Sequence, residues 1–145
     1  MRTRTSIILF AMVVGSSMMA ASDETVRPAK ISKSDLGGKI YERPEMAERT
    51  HADGHVTQSI TSLVSSDKNF SSGMYKSGKT RIEITKPYGV DEFMYFLEGG
   101  VTLTSSDGTQ QVIKAGEAVT VPKEWTGVFE TDGYSKIWVI YSPQD

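Results

Sequence analysis

Two glycine-bounded segments constrain this chain more than any other feature. Asp91-Glu92-Phe93-Met94-Tyr95-Phe96-Leu97-Glu98-Gly99 is followed by Gly116-Glu117-Ala118-Val119-Thr120-Val121-Pro122. Each reads as a strand bounded by a turn, with a carboxylate near the start of the first strand. Strand alternation places Glu92, Met94 and Phe96 on one face, so the carboxylate shares a surface with apolar side chains.

The flanking sequence repeats the pattern. Val56 to Val64 alternates loosely, Phe70 to Tyr75 is a short run closed by Ser77-Gly78, and Thr80 to Thr85 alternates with period two. Phe93 to Leu97 is wholly apolar and aromatic, which predicts burial on both faces. Gly99-Gly100 is expected to turn the chain into Val101 to Thr104. Asp107-Gly108, Asp132-Gly133 and Gly78-Lys79-Thr80 are expected hairpin turns. Gln110 to Ile113, Glu117 to Val121, Gly127 to Thr131 and Lys136 to Tyr141 complete the strand set. Short strands at regular spacing argue a sandwich or a barrel. An immunoglobulin sandwich lacks its cysteine landmarks here, so a jelly roll is preferred.

The first 21 residues read as a leader. Arg2 and Arg4 precede the apolar run Ile7 to Val14, which is too short to span a bilayer comfortably, and small residues follow. Ala20 and Ala21 are both plausible cleavage sites. The competing reading is a short anchor that stays attached. The leader holds two arginines and no acid, so without it the formal net charge moves from −2 to −4. A mildly acidic domain without a basic stripe excludes nucleic acid as an expected partner. The chain contains no cysteine, which excludes a disulfide framework, a thiol nucleophile and a thiolate metal ligand. The expected organisation is a signal peptide over 1–21, a polar N-terminal arm over 22–55 and one β domain over 56–145. The expected location is periplasmic or secreted, with no stable membrane insertion after cleavage. Ile31, Leu36, Ile40 and Tyr41 are expected to dock the arm, and Glu45 to Arg49 to form one helical turn.

Asp67-Lys68-Asn69-Phe70-Ser71-Ser72-Gly73-Met74-Tyr75, the Asp91 to Gly99 strand with Val101-Thr102-Leu103-Thr104 and Asp107-Gly108, and Gly116 to Pro122 with Trp125 to Glu130 together resemble one branch of the cupins. That branch is the ureidoglycine aminohydrolase type, which includes the ethanolamine-utilisation cupins. Lys136-Ile137-Trp138-Val139 is similar to its closing strand. The resemblance runs from about Asp67 to Ser142. It implies an all-β, single jelly-roll cupin barrel and a homodimer. A cupin normally places two histidines just before the strand glutamate and a third after the proline. The corresponding positions are Lys86 and Tyr88 (or Thr85 and Pro87), then Gly127, so the three-histidine metal cage is missing.

Function is weighed on what remains. Glu92 is the candidate acid/base or ligand anchor, with Arg81, Lys86 or Lys136 as its cation; a structural ion pair is the alternative. Tyr88 and Trp125 sit in predicted loops at the barrel mouth, and Met94 and Phe129 complete the expected lining of a small-molecule pocket. Phe96 and Trp138 are assigned to packing. No cofactor is expected and no metal site is assigned, because His51 and His55 read as two exposed loop histidines. A Ser-His-Asp set and a phosphate-binding loop are both excluded as readings. The leading expectation is a small-molecule-binding cupin. The alternatives are a metal- or Glu92-dependent hydrolase or isomerase, and a structural module with a filled barrel.

Overall fold

Strands dominate the computed structural model, which describes residues 25–143; the expected leader lies outside the described residues. In chain order they are β1 (Ala47–Thr50), β2 (Val56–Val64), β3 (Phe70–Ser77), β4 (Thr80–Ile84), β5 (Asp91–Ser105), β6 (Gln110–Lys114), β7 (Ala118–Val121), β8 (Gly127–Thr131) and β9 (Tyr134–Tyr141). The strand path is β1-β2-β3-β9-β5-β8-β4, and β6 and β7 also pair with β5. Among the described residues no helix is long and apolar enough to cross a membrane.

The 15-residue β5 organises the barrel. Its first half pairs with β9 and β7, and its second half with β6 and β8. The expected turn at Gly99-Gly100 is therefore a bend inside one strand. The register against β9 slips between Phe96↔Lys136 and Glu98↔Ser135, a bulge that re-aims the chain from one half-barrel to the other. Gly99 follows with φ +63, and a Cβ there would lie 1.9 Å from the Gly133 carbonyl oxygen. Only glycine fits that approach.

Two more expected hairpins are corrected. Gly78-Lys79 links β3 to β4, and Asp132-Gly133 links β8 to β9, but neither pair of strands shares a ladder. Both connections cross between the half-barrels, which is how a jelly roll closes on itself. Turn residues dictate a tight reversal; they do not dictate which strand becomes the neighbour. Asp107-Gly108 does close a hairpin, with Ser105 N–H donating to the Thr109 carbonyl over 2.8 Å and β5 pairing with β6.

Met94, Phe96, Val101, Leu103, Ile113, Val121, Phe129 and Tyr134 form the interior cluster. The expectation that Phe93 to Leu97 is buried on both faces fails. Glu92, Met94 and Phe96 are buried, whereas Phe93 and Tyr95 are 42% and 37% exposed. Phe93 and Tyr95 face outward, so the ordinary inward and outward alternation of a barrel strand applies.

The arm is more ordered than a polar composition suggests. Ser32 caps a helical turn over Lys33–Leu36: its hydroxyl accepts from the Asp35 N–H at 3.1 Å, while Asp35 accepts from the Ser32 N–H at 2.9 Å. A 3-10 turn follows over Lys39–Glu42. Ile40, with no exposed surface, packs on Ile60 and Met74, with Ile31, Leu36 and Tyr41 alongside. The helical turn expected over Glu45 to Arg49 is instead β1, paired with β2. So short a helix has no intrinsic stability, whereas the open edge of β2 offers a hydrogen-bonded ladder.

Candidate functional site

Strand register brings the interior polar groups together. Phe96 pairs with Lys136, Lys136 with Tyr75, and Tyr75 with Ser59, giving one inward row across four strands. Met94 pairs with Trp138 and Trp138 with Gly73 in the next row, and Glu92 pairs with Ile140 in the row beyond. A Cβ on Gly73 would lie 2.7 Å from the Trp138 ring. The bare glycine lets the indole lie across the sheet.

Between the half-barrels these rows line a cavity of about 360 Å³. Its walls are Ser59, Tyr75, Ile82, Ile84, Tyr88, Glu92, Phe129, Tyr134, Lys136, Trp138 and Ile140. Volume and character fit a small-molecule site: mostly apolar and aromatic, with a few convergent polar groups.

The polar groups form a chain. Lys136 Nζ donates to Glu92 Oε1 over 2.6 Å and also lies 2.9 Å from Met94 Sδ. Tyr88 Oη donates to Glu92 Oε2 over 2.5 Å. The ammonium stands 5.6 Å from the Tyr75 ring centroid and 5.7 Å from that of Tyr134, within reach of cation–π attraction. Glu92 and Lys136 are each 5% exposed. Burial pulls the Lys136 ammonium below its ordinary range, and the Glu92 carboxylate opposes that pull. Burial first, then the charge of Glu92, pushes the Tyr88 phenol far above its usual range. Tyr134 moves the same way, chiefly through burial. Both phenols are therefore neutral hydrogen-bond donors at physiological pH.

The residues expected at the site separate into three groups. Tyr88, Glu92 and Phe129 line the cavity. Met94 lies behind it with its sulfur on Lys136, and Trp125 sits outside the lining, edge-on to Tyr88 with centroids 6.2 Å apart and its indole N–H on Ser105. Arg81 and Lys86 are on the surface, where Arg81 pairs with Glu83 at 2.8 Å. Of the three cations considered for Glu92, the structure selects Lys136. Trp138, assigned to packing, is corrected to a lining residue, and Tyr75, Tyr134 and Ile140 line the cavity with it. Their signal was the inward phase of β3 and β9, which Lys136 shares with Trp138 and Ile140.

The histidines also need correcting. They lie in the β1–β2 loop as expected, but both are half-buried rather than exposed. Their rings stack with centroids 4.1 Å apart, and the His55 side chain is only 8% exposed. His55 Nδ1 bonds Asp53, and His51 Nε2 lies 3.0 Å from Thr57 Oγ1. Neither histidine lines the cavity.

A resident metal ion does not fit this donor set. Glu92 spends one oxygen on an ammonium and the other on a phenol. Among the described residues no group of three or more His, Cys, Asp or Glu side chains comes together to hold a metal. A second cation at Glu92 would face the Lys136 charge at close range.

A family profile described as the EutQ-like cupin domain matches residues 64–136, half of the chain. No curated protein matches the sequence. The Clostridium difficile EutQ protein superposes with a TM-score of 0.54 at 20% identity, covering 70% of this chain and 79% of that one. Ectoine synthase from P. lautus gives 0.57 at 16% identity, over 73% and 75%. A Pseudomonas syringae protein of unknown function gives 0.59 at 16% identity over 66% of this chain, but the match spans only 43% of that longer protein. Identities this low carry the fold alone.

Proposed function

The chain belongs to the EutQ-like cupin family, and from that premise we propose that it binds a small, uncharged organic molecule inside its barrel. One observation carries the reading. A cavity of about 360 Å³ has aromatic and aliphatic walls, and the charged groups among the described residues that line it, Glu92 and Lys136, already neutralise each other. Such a site rewards an apolar body carrying one polar group. Glu92 is the central polar anchor, held between Lys136 and Tyr88. Thermal-shift measurements with small neutral aromatic and branched aliphatic compounds, benzyl alcohol among them, test this. Ligand in excess raises the melting temperature of the parent, and the rise disappears in Ile84→Trp, which fills the cavity. A set in which no compound shifts the parent would sink the reading.

Export and self-association complete the proposal. The basic and apolar start of the sequence supports export; recovery of a periplasmic form beginning near Ala21 or Ser22 is the expected result, and a cytoplasmic form retaining Met1 contradicts it. A homodimer is supported by the outer face of β3, β9 and β5, where Phe70, Tyr141, Phe93 and Tyr95 are exposed, with Asp91 in register beside Tyr141. Light scattering is expected to give twice the chain mass, reduced to one chain mass by Tyr95→Lys; a monomeric parent excludes it.

A further inference from the structure

Building on the ligand-binding reading of the cavity, we propose that Lys136 is an imine-forming lysine and that the ligands are small neutral aldehydes or ketones with an apolar body. An ammonium has three donors and no acceptor. Lys136 places one donor on Glu92 Oε1 and one on a thioether, a weak acceptor, and its remaining surroundings are the faces of Tyr75 and Tyr134 at the cavity wall. A lysine serving only as a counter-ion is better housed among oxygens. An amine desolvated in an apolar pocket is instead the arrangement that activates lysine toward carbonyl carbon.

The neighbours supply the proton chemistry. Across the 2.6 Å contact Nζ passes a proton to Glu92 Oε1, which leaves a neutral amine beside a carboxylic acid. The Nζ lone pair then forms a bond to the carbonyl carbon as the carbonyl π bond opens, and the oxygen takes the proton held by Glu92. Loss of the second Nζ proton, returned through Glu92, releases that oxygen as water and leaves a carbon–nitrogen double bond. The third Nζ proton stays on nitrogen, so one ammonium and one carbonyl give one protonated imine, paired with the Glu92 carboxylate, and one water, with no change of oxidation state. Tyr88, donating to Oε2, holds the carboxyl group in place throughout.

Charge selects the ligand class. The residues lining the cavity include one cation and one anion, and they are already paired. A 2-oxo acid would add a carboxylate with no cation left to meet it, which is costly in an apolar site. A neutral carbonyl compound adds no such charge.

The test uses the whole mature protein with benzaldehyde, phenylpyruvate and benzyl alcohol, with cyanoborohydride to reduce any imine to a stable amine, followed by peptide mass mapping. Benzaldehyde is expected to label Lys136 at a rate about tenfold above the exposed lysines, in line with the activation that desolvation gives a lysine. Excess benzyl alcohol suppresses that label, phenylpyruvate gives none at Lys136, and Lys136→Arg removes it while surface labelling persists. If benzaldehyde and benzyl alcohol both raise the melting temperature but Lys136 stays unmodified while surface lysines react, the imine proposal is overturned and the binding reading stands. If neither compound stabilises the protein and Lys136 is unlabelled, both fall together.

Discussion

Glu92 and Lys136 make sense only as a pair. Each is buried, each answers the other at 2.6 Å, and neither has a second ion among the salt bridges of the described residues. Removing one partner leaves an uncompensated charge, so Glu92→Leu and Lys136→Met should each destabilise the fold by about 3–5 kcal/mol. The double variant should be more stable than either single one; urea unfolding of the four proteins measures it, and additive losses would deny the coupling. Gly73→Ala should cost about 1–3 kcal/mol by overpacking, since its Cβ would lie 2.1 Å from the Ile60 carbonyl oxygen and 2.7 Å from the Trp138 ring, seen as a lower urea midpoint; an unchanged midpoint would deny the close approach. At this scale the sequence went far but not all the way. Alternation put Glu92, Met94 and Phe96 on one face, and the cupin resemblance made that face the interior, where all three are buried. Neither could choose among Arg81, Lys86 and Lys136 as the partner of Glu92, because that choice depends on the register between β5 and β9, some 40 residues apart in the chain. Arg81 had the right charge but sits on an outward position of β4 beside Glu83 and Glu130.

Among the elements, the arm's helical turn is held by one polar cluster. Asp35 accepts from Ser32 through backbone and side chain and from Arg43 Nη2 at 2.7 Å. Those hydrogen bonds, with Ser32 first and the Arg43 guanidinium after it, hold the Asp35 carboxyl down to about 2 from an ordinary 3.8. A carboxylate depressed in the folded state stabilises it above the unfolded value and loses that contribution as pH falls toward the folded one. Arm protection in hydrogen exchange should therefore hold down to about pH 4 and drop between 4 and 2, with a smaller drop in Asp35→Asn; the same drop in that variant would assign the acid sensitivity elsewhere. Ser32→Ala should cost the turn about 1 kcal/mol at any pH above that window. The Ser-x-x-Asp spacing of this cap was present in the sequence and was overlooked in a stretch judged by its polarity. By contrast, β1 had no local signal to find. Ala47–Thr50 becomes a strand because β2 has an edge to fill, and sequence periodicity does not report on open edges.

For the whole molecule, turn residues and alternation gave a sandwich or a barrel, the glycine-bounded segments and the cupin resemblance narrowed it to a jelly roll, and the family match and the structural neighbours agree with it. Closure was not legible, because β3 to β4 and β8 to β9 look like hairpins locally and become crossings only once both half-barrels exist. The cavity belongs to that closure, since Ile82, Ile84 and Phe129 face Tyr75, Lys136 and Trp138 across it. The central claim is that this cavity takes a ligand, and the isoleucines are placed to report on it. Ile82, Ile84 and Ile140 line the cavity, while Ile40 and Ile60 lie under the arm and Ile113 in the interior cluster. Methyl-labelled isoleucine spectra recorded during a benzyl alcohol titration are the measurement to make. Saturating shifts are expected at Ile82, Ile84 and Ile140, with Ile40 and Ile60 unmoved. Shifts confined to the arm cluster, or none at any concentration, would contradict the central claim.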